Sequence, residues 1–497
     1  MKLSEYISLD GVDIVNLIQK KEVTKKEILD LSFEQLDKVN PALNAITNIR
    51  RETVYEEIKN NSANGKFDGL PLFLKDISQS LKGELLTNGS RLFKNNIAQH
   101  TSNFVQKLLS EGCIAMGHST SPEFALKNVT EPKIHGATRN PWNHDHAPGG
   151  SSGGAAALVA SGVVPITGAS DGGGSIRIPA SFTGLFGLKP TRGRTPVGPG
   201  VGRNWQGASV EFVLSKTVRD SARMLDTLQV IQQQAAFQTP LYPDVYEETV
   251  KLPFDRPLKI GYTMDSPVGT PVSDDAKKAV QKVLRWLESE GHHVEEVDNG
   301  VDGIQLMRNY FLMNSGEISS LVQELEEMMQ KEITADDMEV EAWILNVAGQ
   351  NVSAAEFSRS LASWDIAAEK MAIFHEQYDF YITPATAFPA PKVGELTASE
   401  TDAGMLREKI EQLTPSKQQE FIYEMFLPGL TYTPFTQLAN LTGQPAMSIP
   451  VHVTDSGLPI GVQAVAEKGA EHRLLQLAHQ IEQTDLWIGM KGNPYFN

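Results

Sequence analysis

Residues 149 to 177 read GGSSGGAAALVASGVVPITGASDGGGSIR and carry two serine sites set among glycines, Ser151 and Ser175. Gly149, Gly150, Gly153 and Gly154 flank Ser151 and Ser152. Lacking β-carbons, they can take positive φ and let backbone approach a ligand closely. Downstream, Asp171 leads through Gly172, Gly173 and Gly174 to Ser175. A run of glycine N–H groups beside a serine suits an oxyanion site next to its own nucleophile. Acyl transfer by serine also needs a base for the Oγ proton and a proton donor for the leaving group. Histidine is the usual base, and none lies near Ser175 in sequence; triad members come from anywhere in a chain, so this decides little. One charged pair is conspicuous: the apolar run GLPLFL ends abruptly on Lys75 and Asp76.

Rigid elements must hold these residues. AAALVASG is a good helix former, so the turn at Ser151 falls at a helix N-terminus, where orphan N–H groups favour negative charge. VVPITG reads as a short buried strand, and GCIAMG around Cys113 as another. FVQKLLSEG followed by CIAMGHS alternates helix with strand. PFDRPLKIGYT, the helix DDAKKAVQKVLRWLESEG and HHVEEVD repeat the alternation, the mark of an α/β sheet. Residues 10–60 show helical periodicity, with Thr24 as an N-cap, and form an N-terminal helical layer. A catalytic core over about 70–200 follows. Residues 301–378 are mostly helical and acidic and read as an inserted lobe. Residues 379–497 return to the sheet through YDFYITPATAFPAP, PAMSIPV and PIGVQAVA and end on a helix. No repeat, low-complexity tract or long linker interrupts the chain, so one domain with a lobe is expected over 1–497.

With 40% hydrophobic and 21% charged residues, the chain can bury a large core. Its 44 basic against 61 acidic residues give net −17, which opposes nucleic acid and anionic membrane as partners. No stretch of roughly 18 apolar residues occurs, and the N-terminus lacks an apolar leader core, so a cytoplasmic location is expected. Cys113, the only cysteine, fits a reducing compartment and a core position. His144 and His146 form an HxH pair without a third ligand at a sensible spacing, so neither metal nor cofactor is expected. His292 and His293 read as strand-edge residues.

GGSSGG followed by DGGGSIRIPASFTGLFGLKPTRGRTP resembles the motif that defines the amidase signature family of serine amidohydrolases. The 24-residue separation of Ser151 and Ser175 agrees with it. PLFLKD at 71–76, HGATRNPWN at 135–143 and LTGQPAMSIPV at 441–451 extend the resemblance over nearly the whole chain. Within the family it is most similar to the 6-aminohexanoate cyclic-dimer hydrolases. The resemblance implies an α/β amidase signature fold, a mixed central β-sheet flanked by helices with a helical lobe over the cleft. It further implies hydrolysis of non-peptide amides, linear or cyclic, through an acyl-enzyme and a Ser-cisSer-Lys triad. Carried over by residue, Lys75 is the base, Ser151 the bridge after a cis peptide bond and Ser175 the nucleophile. Composition does not separate Ser151 from Ser152; the family spacing selects Ser151.

Further expectations follow from that resemblance. N–H groups of Gly172, Gly173, Gly174 and Ser175 form the oxyanion hole, although family members more often read D-T-G-G-S or D-I-G-G-S and Gly172 departs from this. Asp171 and Arg177 close the loop as a structural ion pair. A solvated lysine, with pKa about 10.4, is less than about 0.1% neutral at pH 7, so burial must lower Lys75 and Asp76 must point away or pair elsewhere. Tyr432, Phe435, Gln437 and the lobe are expected to line an apolar pocket for a small-molecule amide. A homodimer is compatible with the chain.

Three rival readings use the same residues. G-x-S-x-G occurs at Gly149–Gly153, Gly150–Gly154 and Gly168–Gly172; an α/β-hydrolase would use Ser170 with His452 or His472. The glutaminase subunit of a tRNA-dependent amidotransferase shares the amidase signature, but residues 340–375 lack the basic segment associated with it. A phosphate-binding module would need a G-K-[ST] that is absent after these glycines.

Overall fold

A computed structural model describes residues 1–60 and 65–496; the single-domain expectation over 1–497 thus includes residues 61–64 and 497, which lie outside the described residues. Near the N-terminus, Thr24 and Glu27 form a capping box: Glu27 N donates to Thr24 Oγ1 at 3.1 Å and Thr24 N to Glu27 Oε2 at 2.8 Å. This starts the helix Lys25–Leu43, whose Ile28, Phe33, Leu36 and Val39 are buried. Asn44, at φ +52°, ends it. The helical layer then contains a strand that periodicity did not reveal, β1 (Ile46–Ile49). Four residues are too few to show alternation, and its place is set by pairing with a strand some seventy residues on.

That partner is β3 (Ile114–Ser119), which also pairs in parallel with β2 (Pro71–Lys75), giving a three-stranded sheet ordered β1-β3-β2. All five residues of β2 are buried. The apolar run is therefore a core strand that carries Lys75 into the interior. Cys113 is buried and unpaired just before β3.

The larger sheet has eight strands: β4 (Ile166–Asp171), β5 (Phe186–Lys189), β6 (Val210–Ser215), β7 (Lys259–Tyr262), β8 (His293–Glu296), β9 (Phe380–Pro384), β10 (Ala446–Val453) and β11 (Pro459–Val465). Their order is β4-β6-β5-β10-β11-β9-β7-β8. Pairing is antiparallel from β4 to β9 and parallel along β9-β7-β8, so the sheet is mixed. His293 opens the edge strand β8, and His292 precedes it. Helix Gly153–Ala160 is buried at all eight positions, a consequence of its Ala-rich sequence, and lies against β4, which in turn lies against β2.

A second apolar cluster is built outside the sheet. Helices Gly303–Met329, Val340–Gly349 and Ala354–His375 form the expected lobe. Two further helices, Glu400–Gln412 and Pro415–Tyr432, join it, so the lobe draws on two separate chain segments rather than on 301–378 alone. Ile410, Phe421, Ile422 and Leu430 supply their buried face in one cluster with Ile318, Val322 and Leu345. Among the described residues no helix is long and apolar enough to cross a membrane.

Candidate active site

Lys75 stands at the end of β2 with no solvent exposure. Its Nζ donates to Ser151 Oγ at 2.8 Å and to Ser170 Oγ at 2.9 Å. Burial brings the ammonium down from its ordinary value to about 8, against the opposing pulls of Glu211 and then Asp171. Asp76, the next residue, turns the other way. Its Oδ1 accepts from Thr87 N at 2.7 Å, and Oδ2 accepts from the Thr87 hydroxyl. β2 ends at Lys75, and Asp76 in the following turn is taken up by Thr87, so the two charges are not paired.

Ser151 follows a cis peptide bond from Gly150 and precedes Ser152, the N-cap of the Gly153–Ala160 helix. Gly150 is dictated by crowding: a β-carbon there would meet Asn128 C at 2.7 Å and Lys127 O at 2.8 Å. The adjacent serines are told apart by their contacts. Ser152 Oγ donates to Ser170 O at 3.2 Å, away from the amine that Ser151 touches.

Ser175 is half-buried and lines the same cleft as Ser151 and Ser170. Its hydroxyl has no hydrogen-bond partner among the described residues. The loop that delivers it is tied at each peptide. Gly172 O accepts from Tyr310 OH at 3.0 Å, Gly173 O from Thr436 Oγ1 at 2.7 Å, and Gly174 O from Ile178 N at 2.7 Å. Because C=O and the following N–H point oppositely in a trans peptide, these bonds fix each plane. The Gly174 N–H is consumed by Asp171 Oδ1 at 2.7 Å. This corrects the expectation that Gly174 serves the oxyanion hole; Gly172, Gly173 and Ser175 retain N–H groups without an acceptor among the described residues.

Asp171 and Arg177 are both fully buried and bonded twice, Nη2 to Oδ1 at 2.9 Å and Nε to Oδ2 at 3.0 Å. Burial alone would raise the Asp171 carboxyl, but Arg177 and Asn440 hold it well below the usual carboxylate range. Arg177 Nη1 also donates to Thr436 O at 2.7 Å and Gln463 Oε1 at 2.6 Å, and Nη2 to Asn440 Oδ1 at 2.6 Å. Asn440 Nδ2 returns to Asp171 O at 2.8 Å. The loop that carries Ser175 is thus clamped to the helix Gln437–Thr442 and to β11. Asn440, Tyr310 and Thr436 went unmarked in the sequence, because none of the three stands in a local pattern.

The cleft encloses about 1080 Å³ and is walled by Leu86, Phe124, Phe311, Met425, Phe426 and Leu430, among others. The lobe contributes through its longest helix, Gly303–Met329, and through the helices Glu400–Gln412 and Pro415–Tyr432. Of the three residues expected to touch substrate, only Gln437 lines this space. Tyr432 packs instead against Phe388 and the buried Ile178, Phe182 and Ala390, its hydroxyl donating to Glu395 Oε1 at 2.5 Å. Phe435 is buried against Pro434 and Leu438 at a separate small void. The helix Pro415–Tyr432 ends at this point, so the chain turns and presents Thr433 and Gln437 instead.

The rival assignments lose their histidines. His452 is held by Asp275 and Lys282, at 3.1 and 2.9 Å, and His472 stacks on Tyr242; neither lines the cleft. Ser170 instead accepts from Lys75. His144 bonds Tyr495 OH at 2.9 Å, and no group of three potential metal ligands occurs among the described residues.

The Amidase family model matches residues 27–475. Lipoamidase from Enterococcus faecalis is 37% identical over 480 residues, which are 96% of this chain but 64% of the relative, so the chain spans under two thirds of that protein. The 6-aminohexanoate-cyclic-dimer hydrolase of Paenarthrobacter ureafaciens is 31% identical over 494 residues, 97% of this chain and 96% of the relative. A solved structure of 6-aminohexanoate cyclic dimer hydrolase complexed with substrate superimposes with TM-score 0.88 over 100% of both chains at 28% identity. A family match over most of the chain, together with a relative matched end to end, shows that the chain belongs to the amidase family of amide hydrolases.

Proposed function

We propose that the chain hydrolyses uncharged carboxamides with an apolar acyl part, using Lys75, Ser151 and Ser175 in sequence. Neutral Lys75 takes the Ser151 Oγ proton while Ser151 takes that of Ser175, whose Oγ attacks the amide carbon. The oxyanion is met by N–H groups of Gly172, Gly173 and Ser175. On collapse the C–N bond breaks, and the proton returns through Ser151 to the departing amine. Water then enters by the same relay, and the acyl-enzyme is hydrolysed. The observation that carries this reading is the buried Lys75 amine 2.8 Å from Ser151 Oγ.

Phe124, Phe311, Met425 and Phe426 in a lining that also carries charged side chains support the apolar acyl part, and the relatives are named lipoamidase and 6-aminohexanoate-cyclic-dimer hydrolase. In this reading the enzyme works in a reducing, cytoplasmic setting, supported by the buried free Cys113. A serine-directed fluorophosphonate should label Ser175, with the site read by mass spectrometry of the digested protein. Label on Ser170 or Ser152 instead would overturn the assignment.

A further inference from the structure

We infer that Glu211 is a positioning residue for this reaction, the fixed counter-charge for the ammonium that Lys75 becomes when it accepts the nucleophile's proton. Glu211 lies on β6 directly opposite Ser170 of β4. Opposed residues of an antiparallel pair project to one face with Cβ atoms about 4.5–5.5 Å apart. Ser170 Oγ is 2.9 Å from Lys75 Nζ, so the buried carboxylate and the buried amine both lie beside Ser170. The carboxylate is held still: Ser78 Oγ donates to Oε1 at 2.6 Å and Gln79 Nε2 to Oε2 at 2.7 Å. Gln79 links it back to the base, because its Oε1 accepts from Lys75 N at 2.9 Å.

Glu211 is only 3% exposed, and both its donors are neutral. A buried carboxylate is costly unless a positive charge answers it. The other charged or titratable groups around Lys75 are already committed. Asp171, at the end of β4, is neutralised by Arg177. Asp76 turns to Thr87. His118 of β3 is buried between Asn48 and the Gln79 carbonyl, and burial keeps its imidazole below the ordinary value. Glu211 is the acid left to balance Lys75. In keeping with this, it is the largest influence opposing the effect of burial on Lys75, while its own carboxyl is raised by burial.

The inference rests on Lys75 being the base, and its test separates the two. Glu211→Gln keeps the shape: the amide oxygen accepts from Gln79, and the amide N–H donates to the Ser78 hydroxyl. Two rates are followed from pH 6 to 10, kcat/KM on a neutral amide and covalent labelling by a fluorophosphonate. Removing the negative charge disfavours the ammonium, so in both the midpoint of the acidic limb should move about one pH unit toward acid. The plateau should fall several-fold, because the base is weaker. Ser78→Ala, which weakens the hold on the carboxylate, should move the midpoint the same way by less and stands in if Glu211→Gln does not fold. A lowered plateau with an unmoved midpoint in these variants overturns the role of Glu211. Retained labelling with an ordinary pH profile in Lys75→Ala sinks the base assignment itself.

Discussion

The acid limb of activity is where the Lys75 assignment is most exposed. Lys75 is fully buried, and burial places its titration near 8. The neutral fraction is then about one in a hundred at pH 6, about a tenth at pH 7 and about nine-tenths at pH 9. For an uncharged amide the substrate does not titrate, so kcat/KM should climb roughly tenfold per pH unit up to about 8 and level off above it. A solvated lysine would give a limb still rising near pH 10. Lys75→Ala removes the only group among the described residues that both touches Ser151 and can take its proton, and the loss should be on the order of 10³-fold or more. His452→Gln and His472→Gln should leave the profile in place, since neither side chain faces the cleft. The assay is initial-rate amine release across the pH range, with thermal melts showing that each variant is folded. A profile flat from pH 6 to 9, or near-normal turnover in Lys75→Ala, would refute the reasoning.

The glycines before Ser175 should differ sharply in tolerance. At Gly172 a β-carbon meets nothing closer than Ser209 Cβ at 3.4 Å, so Gly172→Ala should fold normally and keep activity within a few-fold; at Gly174, with φ +124°, it would lie 2.2 Å from Thr436 Oγ1. Gly174→Ala should cost about 1–3 kcal/mol in backbone strain alone and displace the nucleophile, dropping kcat about a hundredfold, and equal behaviour of the two variants in melts and rates would count against the loop geometry. In the cleft wall Phe311 and Phe426 stack at 4.9 Å and 12°. Phe426→Ala removes about 1.5–3 kcal/mol of apolar contact and should lower kcat/KM roughly ten- to a hundredfold for a long apolar acyl amide while sparing acetamide; an equal loss on both substrates would reject the apolar acyl site.

Local chemistry was legible in the sequence wherever one residue type has few alternative uses. An apolar strand ending on lysine, two serines among glycines and a helix-forming run after the first serine all correspond to observed elements. Asp76 pairs elsewhere, with Thr87, as the need for a neutral Lys75 required. What escaped depends on partners distant in the chain. β1 exists because β3 pairs with it, and the helices over 400–432 are defined by packing on a lobe that starts a hundred residues earlier. Tyr432 and Phe435 were chosen for their type, yet the end of a helix rotates them out of the cleft and presents Thr433 and Gln437.

The same limit explains why no motif reveals the site as a whole. Lys75 is an ordinary strand-end lysine until β2 meets β4; that contact desolvates the amine and sets it between Ser151 and Ser170. Ser175 in turn depends on a loop whose glycines would be loose by themselves. Asp171, Arg177 and Asn440 remove that freedom: the carboxylate takes the Gly174 N–H, the guanidinium reaches Thr436 and Gln463, and Asn440 closes on the Asp171 carbonyl. Holding a loop through buried ionic bonds orients the remaining N–H groups before substrate arrives, which is what makes such donors effective in a transition state. The Asp171–Arg177 ion pair therefore preorganises the loop around Ser175, although neither of its members touches the Ser175 hydroxyl.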